Sequence, residues 1–305
     1  MKIVVPDYYD KFICVADECN HNCCIGWEID IDNDTYYLYE NTIGNIGDKL
    51  RKHIAEEDEY RYFKLNEAER CPFLNENNLC EIIITKGEGY LCQICRDHPR
   101  FKNYYTDRIE IGVGLCCESA AFLILNRTNK TLLLTEGEGN DTDEEKVFFN
   151  IREKIFKIIQ DRDLTISKRI EQICSFFDLE MDIDKNELIN LLSSLERFDE
   201  GWNDLLTMYE KTDFDYRFLL SEDKWQIVYE QLLVYFMYRH LTESLYDNCF
   251  IERIKFSILS CEIIFNLFVS KNKLNIEEFI EIARMYSCEI EYSTENINVI
   301  IEFLK

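Results

Sequence analysis

The chain has 305 residues, 47% of them hydrophobic and 13% aromatic, with 14 cysteines but only 3 prolines. That is material for one or two domains with cores of their own. With 34 basic against 59 acidic side chains the formal charge is −25, which excludes nucleic-acid binding driven by lysine and arginine on phosphates and favours a basic partner.

The N-terminal run Ile3 to Val5 is cut by Pro6 and Asp7, too short for a signal-peptide core, and no later stretch approaches about 18 uncharged apolar residues. The expectation is a cytoplasmic protein with no membrane partner. A reducing compartment disfavours structural disulfides and turns attention to metal ligation or redox chemistry.

Ten of the cysteines precede residue 140, in FICVADECNHNCCIGWEID (12–30), ERCPFLNENNLCEI (69–82), YLCQICRDHPRF (90–101) and GLCCESAAFLIL (114–125). Thiolates are soft, anionic donors, and the spacings Cys92-x-x-Cys95 and Cys19-x-x-x-Cys23-Cys24 present two sulfurs from one turn of backbone to a zinc ion or an iron–sulfur cluster. Adjacent Cys23 and Cys24 do not easily ligate one tetrahedral ion together. Gly26-Trp27 suggests a tight turn under an indole, and Pro72 and Pro99 fix the chain at ligand-bearing turns. His21 and His98 are alternative ligands or support the ligands, and Arg96 and Arg100 neutralise charge or form local ion pairs. Cys92 and Cys95 also allow a redox pair, although a thioredoxin-like strand-then-helix context is missing. Between these segments, helix is expected near Thr35 to Tyr39, a strand or short helix at Glu81 to Ile84, a hairpin-like run at Arg108 to Leu115, and helix from Glu118 to Leu125.

Residues 135–146, TEGEGNDTDEEK, read as an acidic linker. Beyond it, apolar residues recur at three and four, as in Val147, Phe148, Ile151, Ile155 and Ile158, and at least five helices should form a bundle. Thr165 or Asp163, Ser221 and Asn275 are the expected N-caps. The single cysteines Cys174, Cys249, Cys261 and Cys288 fall within helical patterns and read as packing. The fold class is therefore mainly α: an irregular, cysteine-rich, metal-stapled N-terminal region (1–134) packed with an all-helical domain (147–305). No phosphate loop, nucleophile elbow, H-E-x-x-H pair or dinucleotide fingerprint is present.

The ordered set Phe12-x-Cys14, Cys19-x-x-x-Cys23-Cys24-x-Gly26-Trp27, Cys71-Pro72-Phe73-Leu74, Cys80, Leu91-Cys92-x-x-Cys95-Arg96-x-x-Pro99-Arg100 and Cys117 before Ala120-Ala121 resembles the flagellin lysine-N-methylase family. Its core is also similar to the CxxCxxCC group described as zinc- or iron-chelating, and Tyr235 to His240 is similar to a helical segment in the family's C-terminal half. The resemblance implies a cysteine-bound centre, a [4Fe–4S] cluster or alternatively zinc. It also implies S-adenosylmethionine-dependent methylation of lysines on a protein substrate, flagellin. By position it implies Cys19, Cys23 or Cys24, Cys71, Cys80 and Cys95 as the chelating core, with Cys14, Cys92 and Cys117 belonging to the longer pattern. Where the family has Ser-Cys-Pro-Glu this chain has Cys116-Cys117-Glu118-Ser119, which leaves open which cysteine is the ligand.

The metal set is thus Cys19, Cys23, Cys24, Cys71, Cys80, Cys92, Cys95 and Cys117. An aromatic cofactor pocket is sought among Trp27, Tyr104 and Tyr235, since aromatic faces steady a sulfonium cation. No catalytic base is named. The alternative is a non-enzymatic metal-binding or metal-sensing protein.

Overall fold

The computed structural model describes residues 1–58, 60–199 and 201–305. In chain order the elements are β1 (Lys2–Pro6), β2 (Ile29–Asp30), α1 (Asn33–Glu40), α2 (Asn45–His53), β3 (Ile54–Glu57), β4 (Tyr60–Phe63), α3 (Glu81–Lys86), α4 (Gln93–Asp97), β5 (Arg100–Tyr104), β6 (Arg108–Val113), α5 (Glu118–Leu125) and β7 (Leu133–Glu136). Helices follow: α6 (Asp143–Ile159), α7 (Ile166–Phe177), α8 (Lys185–Ser194), α9 (Gly201–Glu210), α10 (Asp223–His240), α11 (Ser244–Asp247), α12 (Phe250–Ser270), α13 (Ile276–Tyr286) and α14 (Thr294–Phe303). Among the described residues no helix is long and apolar enough to cross a membrane.

The chain forms two compact units, but not at the boundary expected. One comprises Met1–Phe12 with Phe101–Lys305, the other Ile13–Arg100. The reason is a sheet that local periodicity cannot reveal. Its strand order is β5-β6-β1-β7, with β1 parallel to β6 (Ile3 opposite Ile109) and antiparallel to β7 (Val4 opposite Thr135). The first strand and residues 101–136 therefore fold with the helices, and the cysteine-rich unit is inserted between β1 and β5. The acidic stretch 135–146 is not a linker. Its start belongs to β7 and its end is the first turn of α6, where Thr142 and Glu145 form a reciprocal capping box.

In the helical unit α10 and α12 are apolar on nearly every face, the pattern of a buried helix rather than an amphipathic surface one. Tyr229, Leu232, Phe236 and Met237 of α10 and Phe256, Ile264, Phe265 and Phe268 of α12 are sealed from solvent. Thr165 and Asn275 cap α7 and α13 as expected, whereas α10 begins one residue later than its expected cap, at Glu222, with no side-chain cap. Two buried carboxylates are paired with arginines: Glu110 receives both terminal nitrogens of Arg152 at 2.7 and 2.6 Å, and Glu230 receives Arg162 and Arg169 at 2.8 Å each.

The sheet and its covering ring fit closely at Gly112 of β6, where an added Cβ would stand 2.3 Å from Cζ of Phe101. Gly112→Ala is expected to cost about 1–3 kcal/mol through overpacking, read as a lowered urea midpoint.

The Ile13–Arg100 unit has a three-stranded sheet, β2-β4-β3, with Ile54 opposite Phe63 and Ile29 opposite Phe63 on the other side. Its elements are short, and its core is a small group in which Tyr39, Leu50, Phe63, Phe73 and Ile82 surround the buried Cys71 and Cys92. Glu81 to Ile84 proves helical, within α3.

Candidate metal centre

Each cysteine of the Ile13–Arg100 unit is set by a turn. Asn22 accepts the Cys24 N–H with its side-chain oxygen at 2.9 Å and the Ile25 N–H with its carbonyl at 3.1 Å, closing the turn that exposes the 23–24 pair. Gly26 follows at φ +88°, the left-handed region open to glycine, and donates to the Glu69 carbonyl at 2.9 Å. The Trp27 indole N–H then reaches the Cys23 carbonyl at 2.6 Å, so the tight turn under an indole is as the sequence implies.

That turn is tied to the next cysteine segment. Cys71 donates its N–H to the Cys24 carbonyl at 2.8 Å, and Ile25 bridges Arg70. Cys71-Pro72-Phe73-Leu74 turns back so that Leu74 bridges Cys80, with Asn75 accepting the N–H groups of Asn77 and Leu79. Cys80 stands at the N-cap of α3 and Cys92 at the N-cap of α4, one turn before Cys95. The Tyr39 hydroxyl, donating to the Tyr90 carbonyl at 2.6 Å, lies 3.5 Å from the Cys92 sulfur.

The electrostatics report convergence. The Cys24 thiol hydrogen-bonds to Cys23, which lowers the Cys23 pKa to about 7 and raises that of Cys24. Cys95 does the same for Cys92, lowering Cys92 and rising itself. Burial pushes Cys71 up to about 11 and also raises Cys80. Negative charge on Cys23, Cys71 and Cys95 acts on Cys24, that on Cys92, Cys71 and Cys23 acts on Cys95, and that on Cys80 and Cys92 acts on Cys71. Six thiols from three segments therefore share one neighbourhood, and like charges within reach of one another disfavour full ionisation without a cation.

Among the described residues no group of three or more His, Cys, Asp or Glu side chains is arranged to hold a metal ion, and these six cysteines are not joined by disulfides. Four of the six fall into two interacting pairs, Cys23 with Cys24 and Cys92 with Cys95. As a donor set, sulfur-only and capable of releasing protons on ligation, the six fit a thiolate-bound zinc ion or iron–sulfur cluster.

The other expected residues are placed as follows. Cys19 ends a short 3-10 turn, donating to the Ala16 carbonyl at 3.2 Å, and Cys14 is exposed with its sulfur accepting the Ala16 N–H. His21 is exposed. Burial depresses the His98 pKa to about 4, and its ring centre lies 6.0 Å from that of Trp27. Cys117 belongs to the helical unit, as the N-cap residue of α5. Its neighbour Cys116 is buried there beside Tyr292, Arg239 and Cys288.

The aromatic candidates take separate roles. Tyr104 is 57% exposed and offers its carbonyl to the Tyr246 hydroxyl. Tyr235 is buried, donating to Glu291 and accepting the Arg239 guanidinium at 2.7 Å and the Leu115 N–H at 3.1 Å. Its hydroxyl is fully engaged by protein groups, so Tyr235 is a structural hub rather than a pocket wall. In the same segment the Tyr238 hydroxyl reaches the carbonyls of Val4 and Ile111, and His240 lies 2.7 Å from Glu291. The segment Tyr235 to His240 thus fastens α10 to the sheet and to the π-helical turn Ser287–Glu291. Sequence reading missed Glu291, Asn103 and Arg152, whose polar partners lie far away in the chain.

Residues 186–305, covering α8 to α14, match the family model described as the FliB lysine N-methylase C-terminal domain. The chain is 29% identical over 133 residues to a Lysine-N-methylase of Salmonella typhimurium, a match covering 41% of this chain and 32% of that protein. It is 28% identical over 130 residues to the Flagellar biosynthetic protein FliU of Salmonella muenchen, covering 41% of this chain and 77% of that one. A Lysine-N-methylase of Salmonella choleraesuis is 29% identical over 133 residues, again 32% of its length. The match thus spans 32% of either lysine-N-methylase. No solved structure matches the chain. Similarity to the lysine N-methylases is thus shown over residues 186–305, the span matched by the C-terminal domain model.

Proposed function

We propose that this protein transfers methyl groups from S-adenosylmethionine to the ε-amines of lysines on a protein substrate, flagellin, and that its Ile13–Arg100 unit holds a thiolate-ligated metal centre. The observation that carries the activity is the lysine N-methylase domain over residues 186–305. The metal reading rests on the gathering of Cys23, Cys24, Cys71, Cys80, Cys92 and Cys95, from which the ligands of a [4Fe–4S] cluster or a zinc ion would come.

Bound by these thiolates, the centre would tie four turns into one scaffold. Cys23 and Cys92, the members of each pair that accept the S–H bond, are the sulfurs poised to bind first. The charge of −25 favours approach of a lysine-bearing surface. That attraction is screened within about 8 Å at physiological salt, so the apparent KM for a protein substrate is expected to rise with ionic strength while kcat stays level.

Metal-replete protein, prepared anaerobically, incubated with methyl-labelled S-adenosylmethionine and flagellin from the same organism should transfer label to lysine. Absence of transfer, with metal bound in stoichiometric amount, would overturn the activity and favour the metal-sensing alternative. Iron, sulfide and zinc assays on that preparation decide the metal.

A further inference from the structure

Of the glutamates that put their carboxyl groups into the interior of the helical unit, three have cationic partners, and Glu145 and Glu289 accept backbone N–H groups. Glu110 meets Arg152 and Arg108, Glu230 meets Arg162 and Arg169, and Glu291 meets Arg239 and His240. Glu262, on α12, differs. It is partly buried and, among the described residues, forms no ion pair; its one hydrogen bond is a long one, accepted from the Tyr216 hydroxyl at 3.5 Å. Tyr216 lies in the 3-10 turn Tyr216–Ser221, which packs on α12.

The surroundings are also short of charge-matching groups. Tyr216 stacks near Tyr229 of α10, whose buried hydroxyl interacts with that of Tyr216, and both rings pack on Phe265 of α12. The titratable and charged groups whose fields reach Glu262 are Arg217 and Asp215 beside Tyr216, Cys174 of α7, Tyr209 of α9, Tyr229 of α10 and its own neighbour Cys261. Arg217 is the only cation in that set, and it pairs with Asp215 at 3.6 Å on the exposed side of the turn.

We propose that Glu262 is a proton-operated latch that holds the 216–221 turn against α12, fastened while its carboxyl is neutral and loosened once it ionises. A neutral acid suits a pocket of aromatic rings and hydroxyls, whereas a carboxylate there lacks a cation and draws in water. In keeping with this geometry, burial raises the Glu262 pKa to about 7.

The sign follows from linkage. A carboxyl whose folded pKa lies above its open-state value binds its proton more tightly when the latch is closed. Closure is therefore fully favoured below the ordinary carboxylate range and is lost as pH rises toward 7, after which it levels off. Acidification fastens the turn.

Hydrogen exchange of residues 212–222, divided by the intrinsic rate, tests this on the intact chain. In the wild type the opening equilibrium should rise about tenfold per pH unit between pH 5 and 7 and flatten above 7, the signature of one linked proton. In Glu262→Gln it should be independent of pH and, at pH 8, lower than in the wild type. Tyr216→Phe removes the one bond that favours the carboxylate, and it should move the plateau to higher pH. It keeps the idea testable if the glutamine variant folds poorly. A wild-type pH slope that persists in Glu262→Gln, or a plateau unmoved by Tyr216→Phe, would overturn the proposal.

Discussion

Glu291→Ala is expected to lower the stability of the helical unit by about 3–5 kcal/mol, the usual cost of removing one partner from a buried ion pair. The Glu291 carboxylate is sealed from solvent at the end of the π-helical turn, where it accepts the Tyr235 hydroxyl at 3.0 Å, faces Arg239 at 3.2 Å and lies 2.7 Å from His240. Burial opposes its charge, but Arg239 and His240 hold its pKa below the ordinary carboxylate range. Without it the Arg239 guanidinium is left in the interior beside Tyr235 with no anion. Because the folded pKa is depressed, this stabilisation is present above the unfolded carboxylate value and is lost as pH falls through the folded one. Tyr235→Phe should cost less, about 1–3 kcal/mol, by orphaning the Leu115 N–H and one Arg239 donor. Urea unfolding at pH 7 measures both. A loss under about 1 kcal/mol for Glu291→Ala would mean that the network is not holding α10 to the 287–291 turn.

The second large effect concerns the cysteine-rich unit. Its apolar core is small and its helices and strands are short, the condition in which small folds depend on a covalent or metal staple. Cys92→Ser with Cys95→Ser is expected to abolish stoichiometric metal binding and to unfold residues 13–100 selectively. Structural zinc sites contribute about 10–16 kcal/mol in small domains, far more than this core can replace. Hydrogen exchange should show loss of protection in that segment while α10 and α12 keep theirs, and a chelator should act on the wild type in the same way. Cys261→Ala, deep in the helical unit, should leave the metal content unchanged. Full protection of residues 13–100 in metal-free protein would remove the case for a structural centre.

Much of this was legible in local patterns. The three-and-four spacing of Val147, Phe148, Ile151, Ile155 and Ile158 announced α6, Thr165 and Asn275 marked helix starts, and the Gly26-Trp27 pair marked a turn under an indole. The cysteine spacings singled out eight residues, among them the six thiols of Cys23, Cys24, Cys71, Cys80, Cys92 and Cys95, and the turns built by Asn22, Gly26 and Asn75 that carry them are local events. Cys19 and Cys117 share the same motifs and stand at the end of a 3-10 turn and at the start of α5.

What spacing could not reveal lies in pairings across long loops. Val4 beside Glu110 and Thr135, Asn103 beside Tyr238, and Glu291 beside Tyr235 depend on which surfaces meet after the chain has closed loops of 56 to 135 residues, and no periodic signal records that choice. The same limit misplaced the acidic stretch 135–146 as a linker, because its charges cap a helix and its strand residues pair with the N-terminus. By itself the sequence determined the helices and the thiol-bearing turns, since each is written in neighbouring residues. Only the tertiary structure decided that the cysteine-rich unit is an insertion in the helical one and that Tyr235 is bound to a buried carboxylate. It alone also left Glu262 without an ion-pair partner among the described residues, since burial and partner choice are properties of the packed chain.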